Sequence, residues 1–220
     1  MESGDSIISL SLGAVAEPSG LVVVKPWSGL FPPDGRAPAA GVGTQFDVIE
    51  IDRFPVGRPL PVIMNRVSEI ASDRRLNKRA IILLDISSVG AAPLRAFQSR
   101  GMYPAAIDLT NANAEGYVND AQCAPLRDVI GTAQVVLQTA RLTVAKGLDL
   151  AETLVNDLQA FNPKPIARNP DLRGGRNADL VLALAVALWW GDRLRWDDDM
   201  LADDDDDQFG DQTRSPIGGY

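Results

Sequence analysis

Histidine is absent from all 220 residues. That excludes Ser-His-Asp triads, histidine general bases and histidine-bearing zinc sites. Cysteine is almost absent. Cys123 stands alone, so no internal disulfide can form, and the chain suits a reducing cytoplasm. A metal site here has to be built from carboxylates, which favours hard ions such as Mg²⁺ or Mn²⁺. No apolar run approaches the ~20 residues of a membrane span; the longest is Leu180 to Trp190. The opening MESGDSII has no basic flank before a long apolar segment, so no secretory signal is read. The GxxxxGK[ST] loop of phosphate-binding ATPases is missing too.

What is present is an ordinary globular composition, 45% hydrophobic and 23% charged, long enough for one domain with a real core. The net charge of −8 is localised. Of 29 acids and 21 bases, residues 197–220 hold nine acids (Asp197 to Asp199, Asp203 to Asp207, Asp211) and one base, Arg214. The remainder balances at 20 of each, so the body exerts no global pull on nucleic acid. This divides the chain into a folded domain over 1–195 and an acidic tail over 196–220. The tail has too few apolar residues to fold alone. Its aspartate run lacks the spaced ligands and turn glycine of a calcium loop and reads as a disordered segment, suited to keeping the protein soluble, to occupying a basic groove as a nucleic-acid mimic or to binding a basic partner.

Along the body, Ile7–Leu12, Leu21–Lys25 and Gln45–Asp52 read as a three-strand meander, interrupted by the Pro/Gly-rich stretch Trp27 to Val42. Pro59 opens a helix carrying Val62, Ile63, Val67 and Ile70 at helical spacing. The run AIILL, Ala80–Leu84, is a buried strand ending in Asp85. A helix over Val89–Ser99, a strand over Tyr103–Leu109, a helix over Pro125–Thr139 and a brief strand at Leu142–Val144 follow. Helices over Leu148–Phe161 and Asp179–Trp190 complete the body. This order predicts an α/β fold: a ribonuclease H-like mixed sheet of about five strands with helices on both faces.

Asp85 is the first candidate for chemistry, because sites in open α/β sheets lie at the carboxyl ends of strands. An aspartate there also caps following helices. Asp179 opens the last helix, where the helix dipole favours an acid in any case. The basic loop with Lys164, Arg168, Arg173 and Arg176 is a candidate phosphate contact and equally an ordinary solvated loop.

Four stretches, in order, resemble the nuclease domain of tailed-phage terminase large subunits, the DNA-packaging motors. SLSLGAVAEPSGLVVV is similar to the family's LDLG followed by DPTALVVV. DRFPVGRPLPVIMNRV resembles the stretch leading into its first helix. LLDISSVGAAPLRAFQSRG resembles DATGVG with its helix and glycine, and GGRNADLVLALAVALWW resembles GGHDDLVLALALAW. The likeness runs from about Ile7 to Trp190 and implies a nuclease that holds two divalent metals on carboxylates.

Carried over residue by residue, the resemblance makes Asp85 and Asp179 the catalytic and metal-binding acids. Ser11 stands where the first acid belongs. Asn177 and Ala178 replace the histidine and one acid of the last motif. Ser87 and Ser88 replace the Thr-Gly of DATGVG, and Glu17 is a stand-in acid in the turn after Ser11. The family's ATPase domain precedes its nuclease and this chain has no room for one, so it is expected to be a stand-alone nuclease-like domain or an excised one. The expectation is a pseudo-nuclease, catalytically impaired, with a DNA-binding or protein-interaction role in phage or prophage DNA packaging or assembly. Its partners would be double-stranded DNA and, through the acidic tail, packaging or assembly proteins, in the cytoplasm of a bacterial host and with no membrane. The alternative is an active Mg²⁺/Mn²⁺-dependent endonuclease using Asp85, Asp179 and Glu17.

Overall fold

The structure is a computed structural model and describes residues 5–14, 16–27, 43–76, 80–111, 113–118, 120–161 and 178–202, with side chains up to Arg193. Strands β1 (Ser6–Ser11), β2 (Ser19–Trp27) and β3 (Gln45–Phe54) form the meander. Helix α1 (Leu60–Ala71), β4 (Ala80–Asp85), α2 (Ala92–Gln98) and β5 (Ala105–Thr110) follow. Next come β6 (Gly116–Val118), β7 (Ala121–Pro125), α3 (Leu126–Gln138), β8 (Leu142–Val144), α4 (Ala151–Ala160) and α5 (Asp179–Ala202).

The eight strands make one sheet in the order β6-β7-β5-β4-β1-β2-β3-β8. The pairs β1–β2, β2–β3 and β6–β7 are antiparallel, and the other pairs are parallel. The fold is thus the mixed α/β sheet expected, with eight strands instead of about five. β6 and β7 are the unforeseen ones. GYV in β6 is exposed throughout, and AQCAP in β7 is short and built of small residues, so neither carries an alternating apolar pattern. At the other end of the chain, α5 continues past Trp190 to Ala202.

β1 lies in the middle of the sheet and is buried along its whole length. Its side chains alternate between two cores, as the strand pleat requires. Ile7 shares one core with Val22, Val24, Phe46 and Val48, packed against Leu180, Leu184, Leu188 and Trp189 of α5 and against α3 and α4. Ile8 and Leu10 face the other side, towards Ile63, Met64, Val67 and Ile70 of α1 and Leu94 and Phe97 of α2. Leu180 to Trp189 is buried on every side, which is why α5 is apolar all round instead of amphipathic.

Candidate site at the carboxyl edge of the central strands

Strand parity puts Ser9 and Ser11 on the α5 side of the sheet, in step with Ile7. Asp85 lies on the same side, in step with Ile81 and Leu83. Register aligns four residues in one row across the sheet: Asp85 of β4 beside Ser11 of β1, Ser11 beside Gly20 of β2, and Gly20 beside Arg53 of β3. Gly20 is where α5 arrives. A Cβ at this position would lie 2.6 Å from the carbonyl carbon of Asp179. The first turn of α5 therefore rests directly on the row, and the fold brings Asp85 and Asp179 to one edge of the sheet.

Their immediate partners differ. Asp85 is wholly buried. The Ser11 hydroxyl donates to its Oδ2 at 2.9 Å, the Ser87 amide donates to its Oδ1 at 3.0 Å, and the Ser87 hydroxyl donates to Oδ1 as well. The bonds to Ser87 form an Asx-type turn that redirects the chain after β4. Asp85 is not the cap of α2, which starts beyond Ala91 without a side-chain cap. Two carboxylates on adjacent strands, roughly 4.8 Å apart at the backbone, would repel unless a cation lay between them. The serine hydroxyl at position 11 is uncharged and donates a hydrogen bond to Asp85, so no cation is needed between the two.

Asp179 is clamped by Arg53. The guanidinium donates from Nε to Oδ2 at 2.8 Å and from Nη2 to Oδ1 at 3.0 Å, a two-point fork. The same Nη2 donates to Oδ2 of Asp157, on α4. The Asp157 and Asp179 side chains are 8% and 4% exposed. Burial works against the Arg53 charge, but the hydrogen bonds to Asp179 and Asp157 outweigh it and hold the guanidinium pKa above its ordinary value.

The remaining candidates are more dispersed. Glu17 is half-buried in the β1–β2 turn, where its amide donates to the Ala14 carbonyl. Ala178 is buried, and its carbonyl accepts the Leu182 amide in the first turn of α5. Asn177 and the basic loop with Lys164, Arg168, Arg173 and Arg176 lie outside the described residues, as does the acidic run Asp203 to Asp207. Arg53 and Asp157 were not among the sequence candidates. The one available signal was Asp157, one helical turn after the buried Leu154; Arg53 had none, because its strand does not alternate regularly.

This architecture recurs in solved structures. The chain is similar to the large terminase nuclease of the thermophilic phage G20c, with a TM-score of 0.52, 16% identity, and 83% of this chain covering 80% of that one. The Mn-soaked human cytomegalovirus terminase nuclease domain gives 0.51 and 15%, with coverage of 87% and 85%. The P22 large terminase nuclease domain gives 0.50 and 10%, with coverage of 89% and 85%. The fold is that of a terminase nuclease domain. No protein-family model matches the chain, and no curated protein matches it by sequence.

The G20c terminase nuclease has also been solved with bound zinc. The described residues of this chain do not form a two-metal carboxylate cage. Among the described residues no group of three or more acids, histidines or cysteines converges on a point. Asp85 is tied to serines, and Asp179 is turned towards Arg53, on the far side of Gly20 from Ser11.

Ser9 is the other serine on this face of β1. Its hydroxyl is buried on the α5 side with no hydrogen-bond partner among the described residues. An unsatisfied buried hydroxyl costs about 1–3 kcal/mol. Ser9→Ala is therefore expected to raise stability by about 1 kcal/mol, read as a higher urea midpoint at unchanged slope. A lower midpoint would mean that the hydroxyl has a partner, such as a buried water.

Proposed function

We propose that this chain is a terminase nuclease-type domain that no longer cuts DNA and works as a DNA-binding or protein-interaction unit in phage or prophage DNA packaging or assembly. The observation that carries this reading is the Ser11–Asp85 hydrogen bond, a neutral donor in the place where a metal-dependent site would need a second carboxylate. In this reading the domain acts in the cytoplasm of a bacterial host, in keeping with its lack of disulfides. Among the described residues no helix is long and apolar enough to cross a membrane. Double-stranded DNA is the proposed partner of the body, through the basic loop with Lys164, Arg168, Arg173 and Arg176. The acidic tail over 196–220 would engage a basic packaging or assembly protein.

The test is plasmid nicking in Mn²⁺ by the unmodified chain, Asp85→Ala and Ser11→Asp. The expected result is no cutting by the unmodified chain above the Asp85→Ala background. Metal-dependent nicking that disappears in Asp85→Ala would overturn the reading in favour of an active Mg²⁺/Mn²⁺ endonuclease, with Glu17 the next residue to change.

A further inference from the structure

The body of the chain is neutral as a whole, but its charges are unevenly placed. Residues 54–68 and 86–107 contain Arg58, Arg66, Arg95 and Arg100 and no acid. These two stretches carry α1 and α2, which pack on one face of the sheet through Ile63, Met64 and Val67 and through Leu94 and Phe97. It is the face opposite α5. Arg66 is committed to Glu50, Asp52 and Glu69. Arg58, Arg95 and Arg100 are exposed, and among the described residues none of them is paired with an acid.

The three lie on connected surface. Arg100, just past α2, reaches across to α1, where its Nη1 donates to Oδ1 of Asn65 at 3.0 Å. Asn65 and Arg58 line one open cleft of about 520 Å³, with Val62 on its wall. The acids of that cleft, Asp52 and Glu69, are ones that Arg66 holds. Arg95 lies a turn before Arg100, with Gln98 exposed between them. We infer that this α1–α2 face binds the phosphate backbone of double-stranded DNA through Arg58, Arg95 and Arg100.

A guanidinium with no acid beside it keeps its donors free, and its planar fork matches two phosphate oxygens. Neutral amides such as those of Asn65 and Gln98 are common further donors to phosphate. Contacts of this kind position a duplex without reading its sequence. By charge alone the chain's own acidic run would also suit the face. However, Asp203 to Asp207 follow directly on α5, which packs on the other side of the sheet. Five extended residues span at most about 17 Å, and the run would have the sheet and its flanking helices to go round. A separate polyanion is the better fit.

The inference rests on the DNA-binding half of the reading above. It adds a contact that needs neither Asp85 nor a metal, and that is separate from the basic loop with Lys164, Arg168, Arg173 and Arg176. The experiment measures binding of a short labelled duplex of mixed sequence by fluorescence anisotropy, in EDTA, over a series of salt concentrations. It compares the unmodified full chain with Arg58→Gln/Arg95→Gln/Arg100→Gln and with the same three residues changed to Lys. A loop variant, Lys164→Gln/Arg168→Gln/Arg173→Gln/Arg176→Gln, and a tail variant with Asp203 to Asp207 each changed to Asn complete the set.

The triple Gln variant should bind at least about tenfold more weakly, and the slope of log affinity against log salt should become shallower by about 2 to 3. The Lys variant keeps the charges and should keep the slope. Arg95→Gln alone, which breaks no side-chain bond among the described residues, should lower the slope by about 1, so the test survives if the triple variant fails to fold.

A folded triple Gln variant with the affinity and slope of the unmodified chain would overturn the inference. If the loop variant then lost binding, DNA binding would stand without this face. An unmodified chain that binds no duplex would also overturn it, and would leave the non-cutting reading with its protein-interaction role alone. Binding that emerges only in the tail variant would make the acidic run the occupant of the face, against the assignment to DNA. Plasmid nicking that disappears in Asp85→Ala, beside the expected anisotropy results, would defeat the non-cutting reading and leave this inference standing.

Discussion

Arg53→Ala is expected to destabilise the domain by about 3 kcal/mol. Nearly all of that cost arises from what the arginine leaves behind. Asp157 and Asp179 are buried to the point where neither side chain is more than 8% exposed. Removing one partner of a buried ionic cluster leaves uncompensated charge, the expensive case, whereas replacing the whole cluster by neutral groups is often close to neutral. The guanidinium itself is 21% exposed, so water can reach part of the vacated space, and the estimate stays at the lower end of the usual range.

The cost should therefore shrink when the acids are neutralised along with the arginine. Arg53→Ala/Asp157→Asn/Asp179→Asn should recover more than about 1 kcal/mol relative to Arg53→Ala alone. Urea denaturation of these chains checks both figures. A midpoint for Arg53→Ala corresponding to a loss below about 0.5 kcal/mol would show that the triad is a surface ion pair in effect, whatever its geometry.

The same triad shows why part of the site was legible in the sequence and part was not. Asp85 could be found because it ends an apolar strand run, and Asp179 because it begins an apolar helix. Both are positions where local pattern and chain direction coincide. Arg53 could not, because its meaning comes from acids that lie 104 and 126 residues away. No local period encodes such a pairing. The role of Ser11 was half legible. The resemblance marked it as a missing acid, but only the β1–β4 register shows that its hydroxyl lies beside Asp85 and donates to it.

At the level of the fold, the meander, β4 and α5 announced themselves through burial. Both faces of β1 are covered, so its residues are apolar or small without interruption. β6 and β7 sit at the far end of the sheet, where β6 buries nothing and no apolar period marks a strand. The tight meeting of α5 with β2 was equally invisible, because Gly20 in a sequence reads as a turn residue. In the structure it is a strand residue, chosen for lack of bulk.

That lack of bulk can be tested. Gly20→Ala is expected to cost about 3 kcal/mol, near the top of the ordinary range for overpacking. The added Cβ would lie 2.6 Å from the Asp179 carbonyl carbon, 2.7 Å from its oxygen and 2.7 Å from the Leu180 amide nitrogen. All three atoms are backbone, so no side chain can rotate away. α5 would have to lift at its first turn, and Leu180 to Trp189 are buried on every side against the sheet and its neighbours. Lifting that turn also moves Asp179 against Arg53. The effects of Gly20→Ala and Arg53→Ala should therefore fall short of additivity, since each alone disturbs the same contact. Gly116→Ala is the control: nothing lies within 4 Å of a Cβ built there, and its effect should stay within about 0.5 kcal/mol. If Gly20→Ala unfolds at the same urea concentration as the control, the first turn of α5 does not rest on β2 as described, and the placement of Asp179 at the sheet edge fails with it.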